Sequence, residues 1–467
     1  MLGRWTPVTF SLVLVFAAAL GAARLVDRLR SGLSRPNRAT LRRWIPEILL
    51  GLVVAVSLIA RLGAIQELAY PAWVDSPHHA LIVDLLGMVG GVPDRYDPLM
   101  PVTPFTYHFG FHTLALGYRW LTGLSSSDAI LVLGQVLNGL APLGVYVLAL
   151  LATRRPWVGL GAAAIVGLIS LFPGYYVSWG RYTQLSGLII LGPLLGLLIA
   201  NTEWSNGTDR QRDWAWIASL SILAAGLVYV HYRVVAFAVT FLVAAIIVNK
   251  RFVWRIWLPA GVGTLLLAGP WLWRLLEVWI LPKLTDPSTY LAPGNYNDFP
   301  WQYFNGWLER SWWAMAFVGV VIGVIRRERA IWLVAAWTAL TAALLNIPGA
   351  GSWVVNNNSW AISAFLPGSV AAGYALEQVG SLAAWLWRYP PAQVIRPIDR
   401  ARRGLGLVVG LLSTVAMAAG LILGFEAQTR ILNPRTVLAF PADRQAMTWL
   451  RQNLPSDAMI VVNSWYW

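Results

Sequence analysis

The chain has 467 residues, of which 57% are hydrophobic and 12% charged, and its mean hydropathy of +0.59 is too high for a soluble globular domain. The formal net charge is +14, but Lys and Arg stand in short clusters between apolar runs, which excludes nucleic acid as a partner. The chain contains no cysteine, which excludes disulfides, thiolate nucleophiles and cysteine zinc sites.

Twelve apolar runs are candidates for helices that cross a hydrocarbon layer of about 30 Å. They lie at 8–23, 45–65, 128–152, 156–173, 184–201, 214–230, 234–249, 256–273, 312–325, 330–347, 360–377 and 404–424. The run 360–377 contains Pro367, so a re-entrant segment is the alternative there. Many of the 27 Trp flank these runs, as aromatic belts at a membrane interface do. The sequence therefore predicts an all-α integral membrane protein with about twelve transmembrane helices.

Clusters of Lys and Arg orient these helices. They fall in every second connection, at 24–44, 153–155, 201–213, 250–255, 326–329 and 376–403. Because Lys and Arg resist translocation, we expect these connections in the cytoplasm and both termini outside it, in a multi-pass protein of the plasma membrane. The stretch AALGAA after the first apolar core is typical of a signal-peptide cleavage site. Cleavage would send the basic segment 24–44 outward, so we expect an uncleaved helix.

Three units are expected along the chain. Residues 1–44 form an extra helix and a basic cytoplasmic linker, 45–424 form the transmembrane domain, and 425–467 begin an extracytoplasmic domain. The first outer loop of the transmembrane domain, 66–127, is large. Within it, 78–90 and 110–123 have the apolar spacing of short helices that lie on the membrane surface.

The C-terminal unit has mixed structure. Its sequence predicts an amphipathic helix over 442–452, a turn at 455–457 and a strand, MIVV, at 459–462. A lone strand without a partner is not a stable unit. We therefore expect 425–467 to be the start of a truncated α/β segment.

The first outer loop carries most of the titratable groups of the chain. It holds four of the five histidines and four acids: His78, His79, His108, His112, Asp75, Asp84, Asp94 and Asp97. Asp75 lies about ten residues beyond the second apolar run, where a carboxylate can meet both a lipid headgroup and a hydroxyl from water. Because Ser76 and Pro77 follow, a helix cap is the alternative for Asp75. Asp94 and Asp97, in VPDRYDP, are first of all turn formers.

The histidines allow two interpretations. His108 and His112 are four residues apart and share one helix face, so with His78, His79 and Asp75 they fit a zinc-type site. Imidazoles at a membrane interface more often bind headgroups, backbone or substrate, and we prefer that interpretation. The sequence predicts no cofactor, and it leaves a divalent cation at Asp75, His78 and His79 open.

Two arginines stand at outer helix ends. Arg181 lies in SWGRYTQ, beside Tyr182, and Arg233 follows His231 in VHYR. A guanidinium makes bidentate bonds to phosphate oxygens, so we assign these residues to a phosphate or substrate site. The alternative for Arg181 is a side chain that merely snorkels from its helix end.

The layout of these segments resembles the GT-C superfamily of membrane glycosyltransferases. The likeness rests on the acidic first loop, on YHFGFH at 107–112, on GYYVSWGRYTQLSG at 174–187 and on VHYR at 230–233, and it covers about 45–467. Enzymes of this superfamily move a sugar from a polyprenyl-phosphate or polyprenyl-diphosphate carrier to an acceptor outside the cytoplasm. The resemblance implies the same hexosyl or pentosyl transfer here, with a lipid-linked sugar donor and the bilayer as partners.

The resemblance also assigns roles to residues. Asp75 matches the first-loop acid, which acts as general base on the acceptor hydroxyl or helps to hold a metal. Many members have a second acid adjacent or one residue away, whereas Ser76 and Pro77 stand at those positions, which places metal dependence in question. Asp94 and Asp97 are the candidates for a second acid, although they lie about twenty residues further on.

A second likeness concerns the C-terminal residues. The segment WLRQNLPSDAMIVVNSWYW is similar to the one that precedes the WWDYG motif of oligosaccharyltransferase catalytic subunits. Trp465-Tyr466-Trp467 lacks the Asp of that motif, so peptide recognition is not carried over.

Two other functions compete with sugar transfer. Twelve spans are common in transporters, but Gln135 and Asn138 are the main polar residues within the predicted spans, whereas coupled transporters place ionisable groups there. A non-catalytic partner in cell-envelope glycan assembly needs the same lipid-phosphate site, so the sequence does not separate it from the enzyme.

Overall fold

The computed structural model describes residues 5–13, 15, 19, 38–102, 104–204, 210–250, 253–285, 297–347, 355–388, 396–455 and 457–460. The helices include α1 (Arg38–Gly63), α2 (Asp75–Val89), α3 (Gly110–Thr122), α4 (Ser126–Thr153), α5 (Pro156–Ala164), α6 (Tyr182–Trp204), α7 (Arg210–Val230), α8 (Tyr232–Asn249), α9 (Trp254–Leu275), α10 (Trp307–Ile325), α11 (Arg329–Leu345), α12 (Asn357–Ala361), α13 (Phe365–Arg388), α14 (Arg396–Thr429) and α15 (Pro441–Asn453). The described residues contain no strand. The all-α architecture predicted from the sequence is confirmed.

Eight of the described helices are long and apolar enough to cross a membrane. Two shorter apolar helices, Pro156–Ile169 and Arg329–Leu345, correspond to two further predicted runs. The run 360–377 lies mostly in α13, a continuous helix of 24 residues with Pro367 in its first turn, where proline is tolerated. Of the first run, 8–23, only part falls within the described residues, and 7–13 is helical. The total of twelve spans therefore stays a prediction.

The centre of the bundle is the close contact between α4 and α6. A Cβ on Gly192 would stand 2.4 Å from the carbonyl oxygen of Gly144, and one on Gly144 would stand 2.9 Å from that of Ile189. Helices in membranes associate by such small-residue contacts, which let the two backbones touch. The contact fixes α6, whose first turn follows Arg181.

A buried arginine bonds to α4, and no sequence motif marks it. Arg61, near the end of α1, is fully buried. Its Nε donates to Asn138 Oδ1 at 3.0 Å, one terminal nitrogen donates to the Gly167 carbonyl at 3.1 Å, and the other bonds Gln428. Asn138 is thus a hydrogen-bond partner of this guanidinium within the bundle.

The first outer loop folds onto the bundle through α2 and α3. One face of α2 buries Ile82, Val83, Leu85 and Leu86 against α3 and α4. Asp84, on the other side, accepts bonds from Arg119 at 2.9 Å and Ser126 Oγ at 2.6 Å. The two predicted loop helices are confirmed as helices, and they are integrated into the protein core.

The segment after α14 packs against the same loop. Backbone bonds join Ala69 N to the Ala439 carbonyl at 3.1 Å and Trp73 N to the Thr436 carbonyl at 2.8 Å. The amphipathic helix predicted over 442–452 is confirmed as α15. Of the predicted strand at 459–462, residues 459–460 have no regular structure and 461–462 lie outside the described residues. The predicted α/β domain is therefore not confirmed.

Several of the basic connections meet at the end of the bundle away from the first outer loop. Arg155 pairs with Glu328 and with Glu377, each at 3.0 Å, and its guanidinium lies 5.4 Å from the centre of the Tyr374 ring. The connections 153–155 and 326–329 therefore meet at one end, as the alternation of basic connections predicts.

Candidate functional site

Asp75 is the first residue of α2. The N-cap position belongs to Val74, and no side chain caps the helix there, so the structure does not support the cap alternative for Asp75. The Asp75 side chain is accessible from outside the fold. The helix dipole stabilises a negative charge in the first turn of a helix, so the backbone of α2 favours the ionised carboxylate of Asp75.

Arg181 reaches this region through a tight turn. The 3₁₀ helix Gly174–Trp179 ends at Gly180, which has a φ of +60°, and α6 begins directly after Arg181. A Cβ on Gly180 would stand 2.4 Å from Ser76 Oγ and 3.0 Å from the Ala72 carbonyl oxygen. Only glycine allows this backbone to lie against the start of α2. The turn thus ties Arg181 to the helix that begins with Asp75.

Arg233 is placed by a break between two helices. α7 ends at Val230 and α8 begins at Tyr232, so His231 alone, in an extended conformation, separates the two helices. Arg233 is then the second residue of α8. A positive side chain at a helix N-terminus is unfavourable by roughly 0.3–1 kcal/mol. Residues that break such a local rule are expected at functional positions.

The N-termini of α6 and α8 add to the positive potential of the two arginines. Each terminus leaves backbone N–H groups free and carries about half a positive charge. Together with Arg181 and Arg233, they make this region suited to an anion such as a phosphate.

The charges of the two arginines reach the Asp75 carboxylate. Desolvation by the surrounding protein raises the pKa of Asp75, and the positive charge of Arg181, a proton on His78 and the charge of Arg233 oppose this rise. The desolvation is the larger effect, so the pKa of Asp75 lies above its ordinary value. Asp75, Arg181 and Arg233 therefore share one electrostatic environment, although they come from three distant parts of the chain.

All five histidines of the chain lie near the group formed by Asp75, Arg181 and Arg233. His78 and His79 come from α2, His108 and His112 from the start of α3, and His231 from the break before α8. His79 Nδ1 and His112 Nε2 lie 2.9 Å apart in a hydrogen bond, and the rings of His108 and His231 have centroids 4.6 Å apart. We call these five residues the histidine cluster.

Burial keeps the histidine cluster neutral. Desolvation lowers the pKa of His79 and of His231 to about 3 and holds the pKa of His108 and of His112 well below the ordinary value. It also lowers the pKa of His78, although Asp75 opposes this shift. The cluster therefore supplies neutral hydrogen-bonding groups, and the positive charge near Asp75 at neutral pH comes from the arginines.

Two tyrosines that were not among the predicted site residues contact the histidine cluster. The Tyr96 hydroxyl lies 3.1 Å from His78 Nε2, and the Tyr107 ring lies against His78 with centroids 4.9 Å apart. Burial is the main cause that raises the pKa of Tyr107 beyond its usual range, with Asp75 adding to the rise. The motif YHFGFH contains Tyr107, so the sequence held a signal for this residue.

A cavity of about 320 Å³ opens beside the arginines. Arg181 and Arg233 form one part of its lining, and residues 298–302 and 356–359 form the rest: Asp298, Phe299, Pro300, Gln302, Asn356, Asn358 and Ser359. The lining is mostly polar. These two segments carried no sequence motif, because they lie in different loops and meet only in the folded chain.

Three of the predicted site residues lie in other surroundings. Asp94 pairs with Arg274, and Asp97 lies 3.7 Å from Arg95. Neither acid is among the charges that shift the pKa of Asp75, so the structure does not make either one a second acid beside it. Tyr182 is fully buried and stacks on Phe111, with ring centroids 5.8 Å apart, so it is a core residue and does not line the cavity.

The donor set does not fit a metal ion. Among the described residues, no group of three or more His, Asp or Glu side chains is arranged to hold one. His79 and His112 use facing ring nitrogens for their mutual hydrogen bond, and His78 faces Tyr96. Within the part of the chain that the structure describes, no carboxylate is among the charges that act on Asp75.

Comparisons with solved structures identify the fold. The chain is similar to the archaeal oligosaccharyltransferase AglB from Archaeoglobus fulgidus, described in complex with an inhibitory peptide and a dolichol-phosphate, with a TM-score of 0.60 and 13% identity over 89% of this chain and 59% of that one. It is also similar to ArnT from Cupriavidus metallidurans in the apo state, with a TM-score of 0.56 and 16% identity over 87% of this chain and 80% of that one.

ArnT bound to undecaprenyl phosphate gives a TM-score of 0.52 at 16% identity, over 87% of this chain and 81% of that one. The chain spans 59% of the length of the oligosaccharyltransferase. No family model matches the chain, and no curated protein matches it by sequence. The GT-C fold expected from the resemblance is therefore confirmed by structure.

Proposed function

We propose that this chain is a membrane glycosyltransferase that moves a sugar from a polyprenyl-phosphate or polyprenyl-diphosphate carrier to an acceptor hydroxyl outside the cytoplasm. The observation that carries the proposal is that Arg181 and Arg233 line one polar cavity while their charges act on the pKa of Asp75. The fold shared with an oligosaccharyltransferase described with dolichol-phosphate and with ArnT bound to undecaprenyl phosphate supports the choice of carrier. The active side faces away from the basic connections, in the plasma membrane.

The reaction is a single displacement with inversion at the sugar. The acceptor hydroxyl oxygen attacks the anomeric carbon, the bond from that carbon to the phosphate oxygen breaks, and the lipid phosphate leaves with the electron pair. Asp75 accepts the proton of the hydroxyl. A base whose pKa is raised by desolvation is better matched to this task at neutral pH than an ordinary carboxylate.

Arg181 and Arg233 hold the lipid phosphate. As the bond to the sugar breaks, negative charge develops on the phosphate oxygen, and fixed guanidinium groups stabilise it without reorganisation. The N-termini of α6 and α8 act in the same direction. The neutral histidine cluster leaves these two side chains as the cationic groups of the phosphate site at neutral pH.

No step of this mechanism passes through a metal ion, because the residues around Asp75 do not fit one.

Binding of undecaprenyl phosphate to the purified chain tests the phosphate site. Native mass spectrometry should show binding to the wild type, and Arg181→Gln and Arg233→Gln should each weaken it by about tenfold to a hundredfold, since a charge-assisted bond contributes about 1.5–3 kcal/mol. Arg451→Gln, on the exposed side of α15, is the matched control and should bind as the wild type does. If Arg181→Gln and Arg233→Gln bound undecaprenyl phosphate as tightly as Arg451→Gln, the assignment of Arg181 and Arg233 to the phosphate site would be refuted.

A further inference from the structure

Three consecutive asparagines, Asn356, Asn357 and Asn358, lie at the cavity that Arg181 and Arg233 also line. Asn356 precedes the short helix α12, and its Oδ1 accepts a bond from Ser359 N at 2.8 Å. Asn356 and Asn358 line the cavity, whereas Asn357 is buried behind them. The three residues therefore have different tasks.

Asn357 locks two loops together. Its backbone N donates to Asn297 Oδ1 at 2.8 Å, and its Nδ2 donates to the Asn297 carbonyl at 2.6 Å and to Asn346 Oδ1 at 2.9 Å. Asn297 in turn donates to the Leu345 carbonyl at 2.7 Å. This network holds the loop that contains Asp298 and Gln302 against the start of α12.

The lock creates a polar surface that is fixed before any ligand arrives. Asp298, Gln302, Asn356 and Asn358 line the cavity from these two loops, and we call these four residues the carboxamide wall. The Oδ1 atom of Asn358 is buried and has no hydrogen-bond partner among the described residues. A buried acceptor left unpaired is unfavourable, so pairing with a donor on a ligand would stabilise this atom.

The chemistry of the wall suits the hydroxyls of a sugar. A carboxamide both donates and accepts, and a carboxylate accepts, which is the mixture that a polyhydroxylated ring requires. Apolar groups are few in the lining, so a lipid chain does not fit here. Arg181 and Arg233 line the same cavity and take a phosphate, which places sugar and phosphate together.

The charge of the cavity lining and the volume of the cavity further restrict which ligand can bind. The lining contains two arginines and one acid, Asp298, which leaves one net positive charge. A sugar linked to a lipid through one phosphate carries a single negative charge, whereas a diphosphate link carries two. The volume of about 320 Å³ lies at the lower end of the usual range of about 300–1,000 Å³ for ligand pockets, which favours one sugar over a glycan chain.

We propose that the carboxamide wall binds the hydroxyl groups of a single sugar that is joined to its lipid through one phosphate held by Arg181 and Arg233. The inference rests on the proposed function and deepens it, because it names the donor class as a polyprenyl-phosphate monosaccharide. Asn356 and Asn358 are the residues that set the contribution of the sugar to donor binding.

The test compares the affinities of undecaprenyl phosphate and undecaprenyl-phosphate hexose, with glucose and mannose as the two hexoses, for the purified chain. Asn358→Ala removes the unpaired acceptor, and Asn356→Ser removes a carboxamide while keeping a side chain that caps α12. Each should reduce the preference for the hexose-bearing lipid by about threefold to tenfold, the loss of one neutral hydrogen bond. Binding of undecaprenyl phosphate itself should not change, which also shows that the variants fold.

Asn453→Ala, on α15 and away from the cavity, is the matched control and should keep the wild-type preference. Retention of that preference by both wall variants would overturn the inference. So would equal binding of the bare and hexose-bearing lipids by the wild type, or tighter binding of an undecaprenyl-diphosphate sugar. Failure of the wild type to bind any of these lipids would instead refute the proposed function.

Discussion

The turn at Gly180 offers a sharp test of how the site is assembled. In Gly180→Ala, the left-handed backbone costs about 1 kcal/mol for a residue with a Cβ. The new methyl group also stands 2.4 Å from Ser76 Oγ, which itself donates to the Ala72 carbonyl at 2.5 Å. Displacing that hydroxyl forfeits a hydrogen bond of about 1 kcal/mol. The Ala72 carbonyl oxygen, 3.0 Å from the new Cβ, belongs to the backbone and does not rotate away.

We expect Gly180→Ala to lower the free energy of unfolding by about 2–3 kcal/mol, or to displace Arg181 from Asp75 and reduce sugar transfer by about thirtyfold to a hundredfold. Thermal melting in detergent and release of undecaprenyl phosphate from a hexose-bearing donor measure the two effects. Gly123→Ala is the matched control, because Gly123 has a φ of +71° and no atom lies within 4 Å of the position that its Cβ would take. It should lose only the conformational part, about 1 kcal/mol.

A second variant separates contact from conformation at this turn. Ser76→Ala removes the hydroxyl that the new methyl group meets, so Gly180→Ala combined with Ser76→Ala should recover part of the loss, as a positive coupling in a double-mutant cycle. If Gly180→Ala and Gly123→Ala melt alike and transfer is unchanged, the close packing of the turn on α2 does not position Arg181.

Two further predictions concern pH. The rate of sugar transfer should fall as the pH drops through the pKa of Asp75, which lies above the ordinary value of 3.8. Arg181→Gln should move this inflection to higher pH, because the positive charge of Arg181 lowers the pKa of Asp75. An inflection that stays in place in this variant would contradict the assignment. The histidines of the cluster have lowered pKa values in the folded chain, so the unfolded chain binds more protons than the folded chain below about pH 6.5. The free energy of unfolding should therefore fall on acidification from pH 7 to pH 5. His108→Phe should reduce that dependence in thermal melting, and an unchanged dependence would show that the cluster does not account for it.

The sequence predicted the fold well because the bilayer leaves few alternatives. Apolar runs of sufficient length become helices, and every predicted run from 45–65 to 404–424 falls on a described helix. The short helices of the first loop were also predicted, since their periodicity is visible locally. The strand at 459–462 was predicted from apolar residues alone, and no partner strand lies among the described residues to pair with it.

The site was predictable where one local signal stood out. Asp75, Arg181 and Arg233 were selected by their places at outer helix ends, and the structure brings them into one electrostatic environment. Asp94 and Asp97 were selected only as acids of the same loop, and each pairs with an arginine elsewhere. Tyr182 was selected as the neighbour of Arg181, but the helix turns it toward the core, where Phe111 lies.

The carboxamide wall was not predictable. Asn356 and Asn358 stand about 60 residues from Asp298 and more than 100 from Arg233, and no periodicity or motif links them. Their proximity follows from the hydrogen bonds of Asn357 to Asn297, which exist only in the folded chain. The same holds for Arg61, whose partners Asn138 and Gln428 come from distant helices.

Sugar transfer by Asp75→Asn in proteoliposomes decides whether this carboxylate is the general base. The assay supplies an undecaprenyl-phosphate hexose and an envelope extract as acceptor, and it measures the release of undecaprenyl phosphate. We expect a loss of about 10²–10⁴-fold in transfer, as for removal of a general base, while undecaprenyl phosphate binds with undiminished affinity. Transfer at the wild-type rate by this variant would show that Asp75 is not the base.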